Sequence, residues 1–261
     1  ITVNPKKQTL TTTAIPRDTL VRVETKNKVE YTKINAAYAL GGPREIKKQV
    51  HELLDVPVDY YALVNMGGLE KTVDAVGGVT VNNPFAFKYE GHTYPKGKQY
   101  LNGSEALGYS RMRYDDPDND YSRQKRGQQV LLSALTKVNK SKNIIQMNSL
   151  LDTAKDNVRT DLPLDDLMTL YKNYHGALSN TQSDHLQGKN VTIDNFSFQI
   201  APNREMQRLS DNTRQALGLT KVKVNNIQTK MNDMQTNWNG YNNVNYVLPN
   251  DAQVYIPVNK V

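Results

Sequence analysis

Short strand-like runs alternate with helix-like segments through most of this chain, and this alternation constrains its fold more than any other feature. The strand-like runs cover residues 1–4, 8–15, 21–23, 58–64, 79–81 and 191–200. Helical spacing of apolar residues covers residues 33–39, 66–76, 123–138, 144–154, 164–174 and 204–217. Such alternation predicts an α/β (α+β) fold with a central, mainly mixed β-sheet flanked by helices on both faces.

Local signals set several of the element boundaries. Gly41-Gly42 is expected to end the helix over 33–39, and Pro43 suits the first turn of the next helix. Asn102 followed by Glu105 predicts a capped helix start. Regular patterning stops near residue 219, so we predict one domain over 1–219. We expect residues 220–261, which are rich in Asn, to form a loosely packed C-terminal extension that ends in a strand near 253–258.

The composition excludes several classes of chemistry. The chain has no cysteine, which rules out disulfides, Cys-ligated zinc, iron–sulfur clusters and thiolate catalysis. Its 33 Lys and Arg residues against 26 Asp and Glu give a net charge of +7, which favours anionic partners. The phosphate-loop, dinucleotide, zinc-protease and nucleophile-elbow motifs are absent. Because Ile1 reads like the interior of a strand, we expect that an upstream segment has been removed.

One stretch carries an unusual density of charge. The span from Arg111 to Arg126 holds four arginines, one lysine and four aspartates. In extended chain, Arg111 and Arg113 share one face, and the Asp-rich turn that follows returns the chain to a helix that starts near Arg123. Guanidinium groups beside a helix start suit a pyrophosphate. The alternative is a solvated charge run that neutralises itself, since its net charge is only +1.

A second feature lies at the end of an early strand. Ile15-Pro16-Arg17-Asp18-Thr19 places an arginine and an aspartate where open α/β sheets put their ligand sites. A simple surface ion pair between Arg17 and Asp18 is the alternative interpretation. Nucleic acid is not an expected partner, because the basic residues are interleaved with aspartates and lack an aromatic platform.

Taken in order, several segments resemble the LytR–CpsA–Psr family of cell-envelope proteins. They are Ile15-Pro16-Arg17-Asp18-Thr19, Lys33–Ala39, Val58-Asp59-Tyr60-Tyr61 with Asn65, Val73–Val79, Leu101-Asn102-Gly103 with Ala106-Leu107, Arg111-Met112-Arg113-Tyr114, and Asp120 with Arg123-Gln124-Lys125-Arg126. The resemblance is dense over residues 1–135 and weak over 136–219. The ordered combination is specific, although no single segment is.

The resemblance implies a phosphotransferase that moves a glycosyl-phosphate polymer from a polyprenyl-pyrophosphate carrier to peptidoglycan, as in the attachment of wall teichoic acid or capsule. It also implies magnesium, a position on the extracytoplasmic face of the cell membrane, and a membrane tether through an N-terminal helix upstream of Ile1. A non-catalytic protein that binds polyprenyl phosphate or an anionic polymer at the cell surface is the alternative.

By motif match, the resemblance implies site residues of three kinds. Arg17, Arg111, Arg113 and Arg123 surround the pyrophosphate and act in catalysis, and Arg22 and Arg126 are further pyrophosphate-binding residues. Asp120 orients one of these arginines or helps to activate the acceptor hydroxyl. Asp18 orients one of these arginines and does not itself contact the pyrophosphate.

Two departures from the family pattern bear on activity. Gly127 stands where the family commonly has Gln, about 40° around a helix from Arg123. The acidic residues that the family associates with the metal would lie upstream of Ile1. The sequence therefore leaves a binding-only protein as the second hypothesis.

Overall fold

The structure is a computed structural model that describes residues 1–113, 120–140, 157–236, 238, 240 and 246–257. The chain forms two compact units. The first unit consists mainly of Val3–Ala14 and Ala62–Ser183, and the second mainly of Ile15–Tyr61 and Asp184–Val261. The helix expected over 144–154 lies outside the described residues, as do residues 116–119 of the turn expected over 116–120.

Strands and helices alternate along the chain as predicted. The described strands are β1 (Thr2–Asn4), β2 (Thr9–Ala14), β3 (Leu20–Glu24), β4 (Val29–Lys33), β5 (Ala62–Val64), β6 (Val79–Asn83), β7 (Phe87–Tyr89), β8 (His92–Tyr94), β9 (Gly97–Leu101), β10 (Val158–Thr160), β11 (Thr181–His185), β12 (Lys189–Ile193) and β13 (Phe196–Ile200). The described helices are α1 (Ile34–Leu54), α2 (Met66–Ala75), α3 (Gly103–Arg111), α4 (Asp120–Lys140), α5 (Leu164–Tyr174), α6 (Asn203–Leu217) and α7 (Ile227–Asp233). Within the described ranges, none of these helices combines the length and apolar character needed to cross a bilayer.

The mixed α/β class is confirmed, but the strands are grouped into small sheets. β1, β2 and β11 form a three-stranded sheet in the order β1-β2-β11. The other described strands pair as β3–β4, β5–β10, β6–β9, β7–β8 and β12–β13. In the second unit, a parallel bridge between Thr19 and Gln199 links β3 to β13, and another links Tyr31 of β4 to Val254. In the second unit, isolated bridges thus join strand pairs that are otherwise separate.

The break inside α1 confirms the boundary predicted at Gly41-Gly42. Gly42 adopts a left-handed backbone, with φ 65° and ψ −157°, and Pro43 follows it. A residue with a β-carbon is disfavoured there, whereas glycine adopts this conformation readily. The two helical segments therefore meet at a kink.

Two predicted strands are wrong in their extent. The buried strand expected over 58–64 reduces to Ala62–Val64, which is exposed and pairs with β10. The single strand expected over 191–200 is a hairpin, because Asp194 and Asn195 both have positive φ, at 48° and 64°. Short polar residues tolerate that conformation and favour tight two-residue turns.

The core of the first unit lies between α2, α3, α4 and the strands β6 to β9. Tyr94 and Tyr109 are fully buried in it, together with Val73, Val79 and Ala106. Side chains of α4 also satisfy the backbone of β6: Ser133 Oγ accepts from Thr80 N at 2.8 Å and Gln129 Oε1 from Asn82 N at 3.1 Å. These contacts fix α4 along the edge of β6.

The described part of 220–261 packs into the core of the second unit. Met231, Trp238, Tyr246 and Leu248 are buried there, against Phe198 and other residues of β3, β4, β12 and β13. The Trp238 and Tyr246 rings meet edge to face, with centroids 5.5 Å apart. The expected loose packing is therefore wrong for these residues, because a few large apolar side chains anchor a stretch that is otherwise polar.

A glycine at the start of α3 sets how closely α2 and α3 approach. A β-carbon at Gly103 would overlap the carbonyl oxygen of Glu70 and would lie 2.6 Å from Asp74 Oδ2. We expect Gly103→Ala to destabilise the protein by about 1–3 kcal/mol, because the helices must separate. Urea unfolding measures the change. Gly67→Ala in α2, whose new β-carbon comes no nearer than 3.7 Å to a described atom, is the matched control. Equal stabilities would contradict this account of α2–α3 packing.

Asp184 makes the stability of the second unit depend on pH. Burial alone would raise its pKa, but hydrogen bonds from Arg208, Asn212 and the His185 N–H outweigh burial and lower the pKa below its usual value. The ion pair with Arg208 is bidentate, at 2.9 and 3.0 Å. A lowered folded pKa stabilises the fold above the unfolded value of about 4, and this gain disappears as the pH falls through the folded pKa.

We therefore expect Asp184→Asn to lower the melting temperature clearly at pH 7. The difference should begin to shrink below about pH 4 and should disappear only as the pH falls through the lowered folded pKa, where the wild-type carboxyl is protonated as well. Circular dichroism melts across this range measure it, with Asp165→Asn in α5 as a control for the loss of one exposed carboxylate. A difference that is constant with pH would exclude Asp184 as the source.

Candidate functional site

The chain leaves α3 with two exposed arginines on either side of a buried methionine. Arg111 is the last residue of the helix, and Met112 has extended backbone with φ −55° and ψ 138°. Met112 is 1% exposed, whereas Arg111 and Arg113 are exposed. Burial thus alternates over these three residues, although Arg111 belongs to the helix and not to the extended chain considered in the sequence analysis, and both arginines are exposed.

Arg126 in α4 binds the main chain of this segment. It is 1% exposed, and its Nε donates to the carbonyl oxygen of Tyr109 at 2.8 Å while its Nη2 donates to the carbonyl oxygen of Met112. Its guanidinium carbon lies 5.6 Å from the centre of the Phe87 ring and 5.9 Å from that of Tyr109. Arg126 therefore joins α4 to the end of α3. The contact of Arg126 with a pyrophosphate stays a prediction.

Arg111 makes an ion pair that the sequence analysis missed. Its Nη1 lies 3.0 Å from Glu90 Oε1, and the two side chains are 45% and 41% exposed. Glu90 belongs to the turn between β7 and β8, where both Glu90 and Gly91 have positive φ. The sequence carries little signal for this hairpin, because each of its strands has only three residues and Glu-Gly is not a preferred turn pair.

The start of α4 carries the remaining candidates of the first unit. The helix begins at Asp120, whose side chain lies outside the described part of the chain. Arg123 follows in the first turn and is half-buried. Arg123 and Arg126 are three residues apart and therefore lie on one face of the helix. No described atom comes within 4 Å of a β-carbon built on Gly127, so that position has room for a side chain.

Arg17 and Asp18 lie in the second unit, in the turn between β2 and β3. Arg17 Nε is 3.8 Å from Asp18 Oδ1, and the Lys33 ammonium is 3.0 Å from the same oxygen. The backbone of the turn is fixed, because the Arg17 carbonyl accepts from Asn35 N at 3.2 Å and the Asp18 carbonyl from Gln199 N at 2.9 Å. Asp18 thus contacts two cations, of which Lys33 was not foreseen from the sequence.

The structure places Arg22 in a different environment from Arg17. Arg22 pairs with Glu24, and both line a cleft of about 370 Å³ that includes neither Arg17 nor Asp18. Burial is the largest single influence and lowers the pKa of Arg22, but the hydrogen bonds and charges of Glu24 and Tyr31 together raise the pKa by more, so the net shift is upward. The same bond lowers the pKa of Glu24. The guanidinium of Arg22 is thus engaged by a carboxylate of its own strand.

Comparison with known proteins identifies relatives for most of the chain. The model described as the LytR_cpsA_psr family matches residues 1–215. The polyisoprenyl-teichoic acid–peptidoglycan teichoic acid transferase TagU of Bacillus cereus is 38% identical over 222 residues, which are 85% of this chain and 72% of that protein.

Solved structures agree with the sequence comparison. The crystal structure of B. subtilis TagU superimposes with a TM-score of 0.67 at 33% identity, covering 84% of this chain and 90% of TagU. A structure of TagT bound to LI-WTA gives a TM-score of 0.68 at 27% identity, covering 83% of this chain and 82% of TagT. With its ordered motifs, its α/β fold and a family match over most of its length, this chain belongs to the LytR–CpsA–Psr family.

Proposed function

We propose that this protein transfers a glycosyl-phosphate polymer from a polyprenyl-pyrophosphate carrier to a hydroxyl group of peptidoglycan. Family membership supports the proposal, as do relatives named as teichoic acid transferases and the relative solved with LI-WTA. The proposed place of action is the extracytoplasmic face of the cell membrane. The tether to that membrane, a helix preceding Ile1, is part of the proposal.

The observation that carries the proposal is the geometry of residues 111–113. Two exposed guanidinium groups project from a backbone that the buried Arg126 holds through the Tyr109 and Met112 carbonyls. Cationic donors held in advance stabilise charge that develops in a transition state, because the protein need not reorganise during the reaction. Arginine suits phosphates, since its planar fork engages two oxygens at once.

In the proposed reaction, the acceptor hydroxyl oxygen attacks the phosphorus that bears the glycan. A new phosphorus–oxygen bond forms, the bond to the bridging oxygen breaks, and the polyprenyl phosphate leaves with that oxygen. Negative charge grows on the bridging and terminal oxygens, where Arg111, Arg113 and Arg123 of the first unit are proposed to act. The proton of the hydroxyl passes to a base, for which Asp120 is the candidate.

Magnesium, which the family resemblance implies, has no preformed cage of protein ligands among the described residues. No group of three or more His, Asp or Glu side chains able to hold a metal ion occurs among them. No step of the reaction above is therefore assigned to a metal ion.

Gly127 favours a second candidate function, the binding of a polyprenyl phosphate or an anionic polymer without transfer. The position faces the same side of α4 as Arg123, and no described atom fills the space beside it. A missing amide there removes one hydrogen-bonding group from the proposed site. In this reading the arginines retain the lipid headgroup and turnover does not occur.

A reconstitution separates the two functions. The protein is incubated with a lipid-pyrophosphate-linked glycan, peptidoglycan and magnesium, and polymer attached to peptidoglycan is measured. We expect transfer, and a loss of about 10²–10³-fold in Arg111→Gln and in Arg123→Gln, because each removes a cationic donor to the transition state. Lys88→Gln on β7 is the control for loss of a positive charge. Retention of the lipid without transfer would favour the binding protein.

Arg126 should behave differently from Arg111 in a stability measurement. Arg126→Met removes the donor to two main-chain carbonyls, so we expect a loss of about 2–4 kcal/mol in the free energy of unfolding. Arg111→Gln breaks only an exposed ion pair and should cost less than about 1 kcal/mol. Urea unfolding of both variants tests this. An Arg126→Met protein as stable as the wild type would show that Arg126 does not fix the α3–α4 junction.

A further inference from the structure

Glu90 forms an ion pair with Arg111, which the proposed function assigns to binding of the substrate. Its carboxylate lies 3.0 Å from Arg111 Nη1. Both partners are almost half exposed, so the pair is accessible to a solute. An anion that binds Arg111 must therefore share or replace a carboxylate that the chain itself supplies.

The backbone at Glu90 does not favour a glutamate. β7 and β8 are joined by the two residues Glu90 and Gly91, with φ of 47° and 80°. A two-residue turn with positive φ at both positions prefers Asn, Asp or Gly at the first. A glutamate is disfavoured in the left-handed region, because its β-carbon crowds the main chain there. The geometry of the turn therefore does not explain why a glutamate stands at position 90. The glutamate side chain is longer than that of Asn or Asp, and its carboxylate reaches Arg111.

The hairpin that presents Glu90 is firmly anchored. Phe87 and Tyr94 pair across its base and are buried, with ring centroids 4.6 Å apart. The Phe87 ring also packs on Arg126, which holds the Met112 carbonyl beside Arg111. The carboxylate and the guanidinium thus belong to two elements that meet on one buried side chain.

We propose that Glu90 is a competing anion that holds Arg111 until the diphosphate of the lipid carrier replaces it. This inference rests on the proposed function, since it takes the diphosphate as the ligand of Arg111. An exposed ion pair contributes little to stability, so a ligand with several negative charges and two adjacent phosphates displaces it readily. Glu90 then lowers affinity for the diphosphate, and removal of its charge raises that affinity.

The test uses two variants that differ in their effect on the turn. Glu90→Asn removes the charge and improves the turn, while Glu90→Gln removes the charge and leaves the turn unfavourable. Calorimetry with geranyl pyrophosphate is expected to show binding about two- to fivefold tighter for both, which is the range an exposed ion pair spans. Melting temperatures should be equal to or above the wild-type value for Glu90→Asn. Asp165→Asn, exposed in the same unit, controls for the loss of one negative charge and should leave affinity unchanged.

A spectroscopic measurement identifies the displaced contact. The Arg111 Nε–H resonance, assigned through Arg111→Lys, should shift in the wild type when geranyl pyrophosphate is added. In Glu90→Asn the resonance of the free protein should differ from the wild type, and the bound resonances should coincide.

The outcomes separate this inference from the function it rests on. If the wild type binds geranyl pyrophosphate and both Glu90 variants bind it equally well or more weakly, the proposed role of Glu90 is overturned and the diphosphate site is retained. Binding that is unaffected by Arg111→Gln overturns it too, since Arg111 is then no ligand. Absence of binding by the wild type and every variant overturns both proposals.

Discussion

The fixed geometry of the first unit depends on one buried cation, the guanidinium of Arg126. A charge removed from water is costly unless polar groups replace the solvent around it. Here the carbonyls of Tyr109 and Met112 and the ring faces of Phe87 and Tyr109 provide that replacement. Because those carbonyls belong to the end of α3, satisfying the charge also fixes the main chain from which Arg111 and Arg113 project. The position of the exposed arginines is thus a consequence of burying another one.

Sequence reasoning succeeded where a signal is local. The Asn102–Glu105 capping box, the break at Gly42 and the helix over 164–174 were all predictable, because each depends on residues within a few positions of one another. It failed for short hairpins. Three-residue strands such as β7 and β8 give too few alternations to recognise, and Glu90-Gly91 is not the turn pair that such a hairpin prefers.

The same limit explains what the sequence could not say about the candidate site. Spacing places Arg123 and Arg126 on one helix face, but only tertiary packing makes one half-buried and the other fully buried. Arg17 and Arg22 are five residues apart, yet their surroundings in the fold differ. Arg17 lies beside Asp18, which also binds Lys33, whereas Arg22 lines a cleft together with Glu24. The composition of the Asn-rich stretch did not indicate that part of it is buried, since a few apolar residues such as Trp238 barely change that composition.

The arrangement suits a reaction that needs charge in fixed places more than it needs a covalent nucleophile. A chain without cysteine, with arginines of graded exposure around one helix junction, has the means to hold and stabilise phosphate oxygens while a hydroxyl of the acceptor supplies the attack. The buried arginine fixes the backbone, the exposed ones remain accessible to a ligand, and Glu90 keeps one of them from standing as an uncompensated cation. The role proposed for each arginine follows from its burial. A buried guanidinium donates its hydrogen bonds to main-chain carbonyls, whereas an exposed one can donate them to a phosphate.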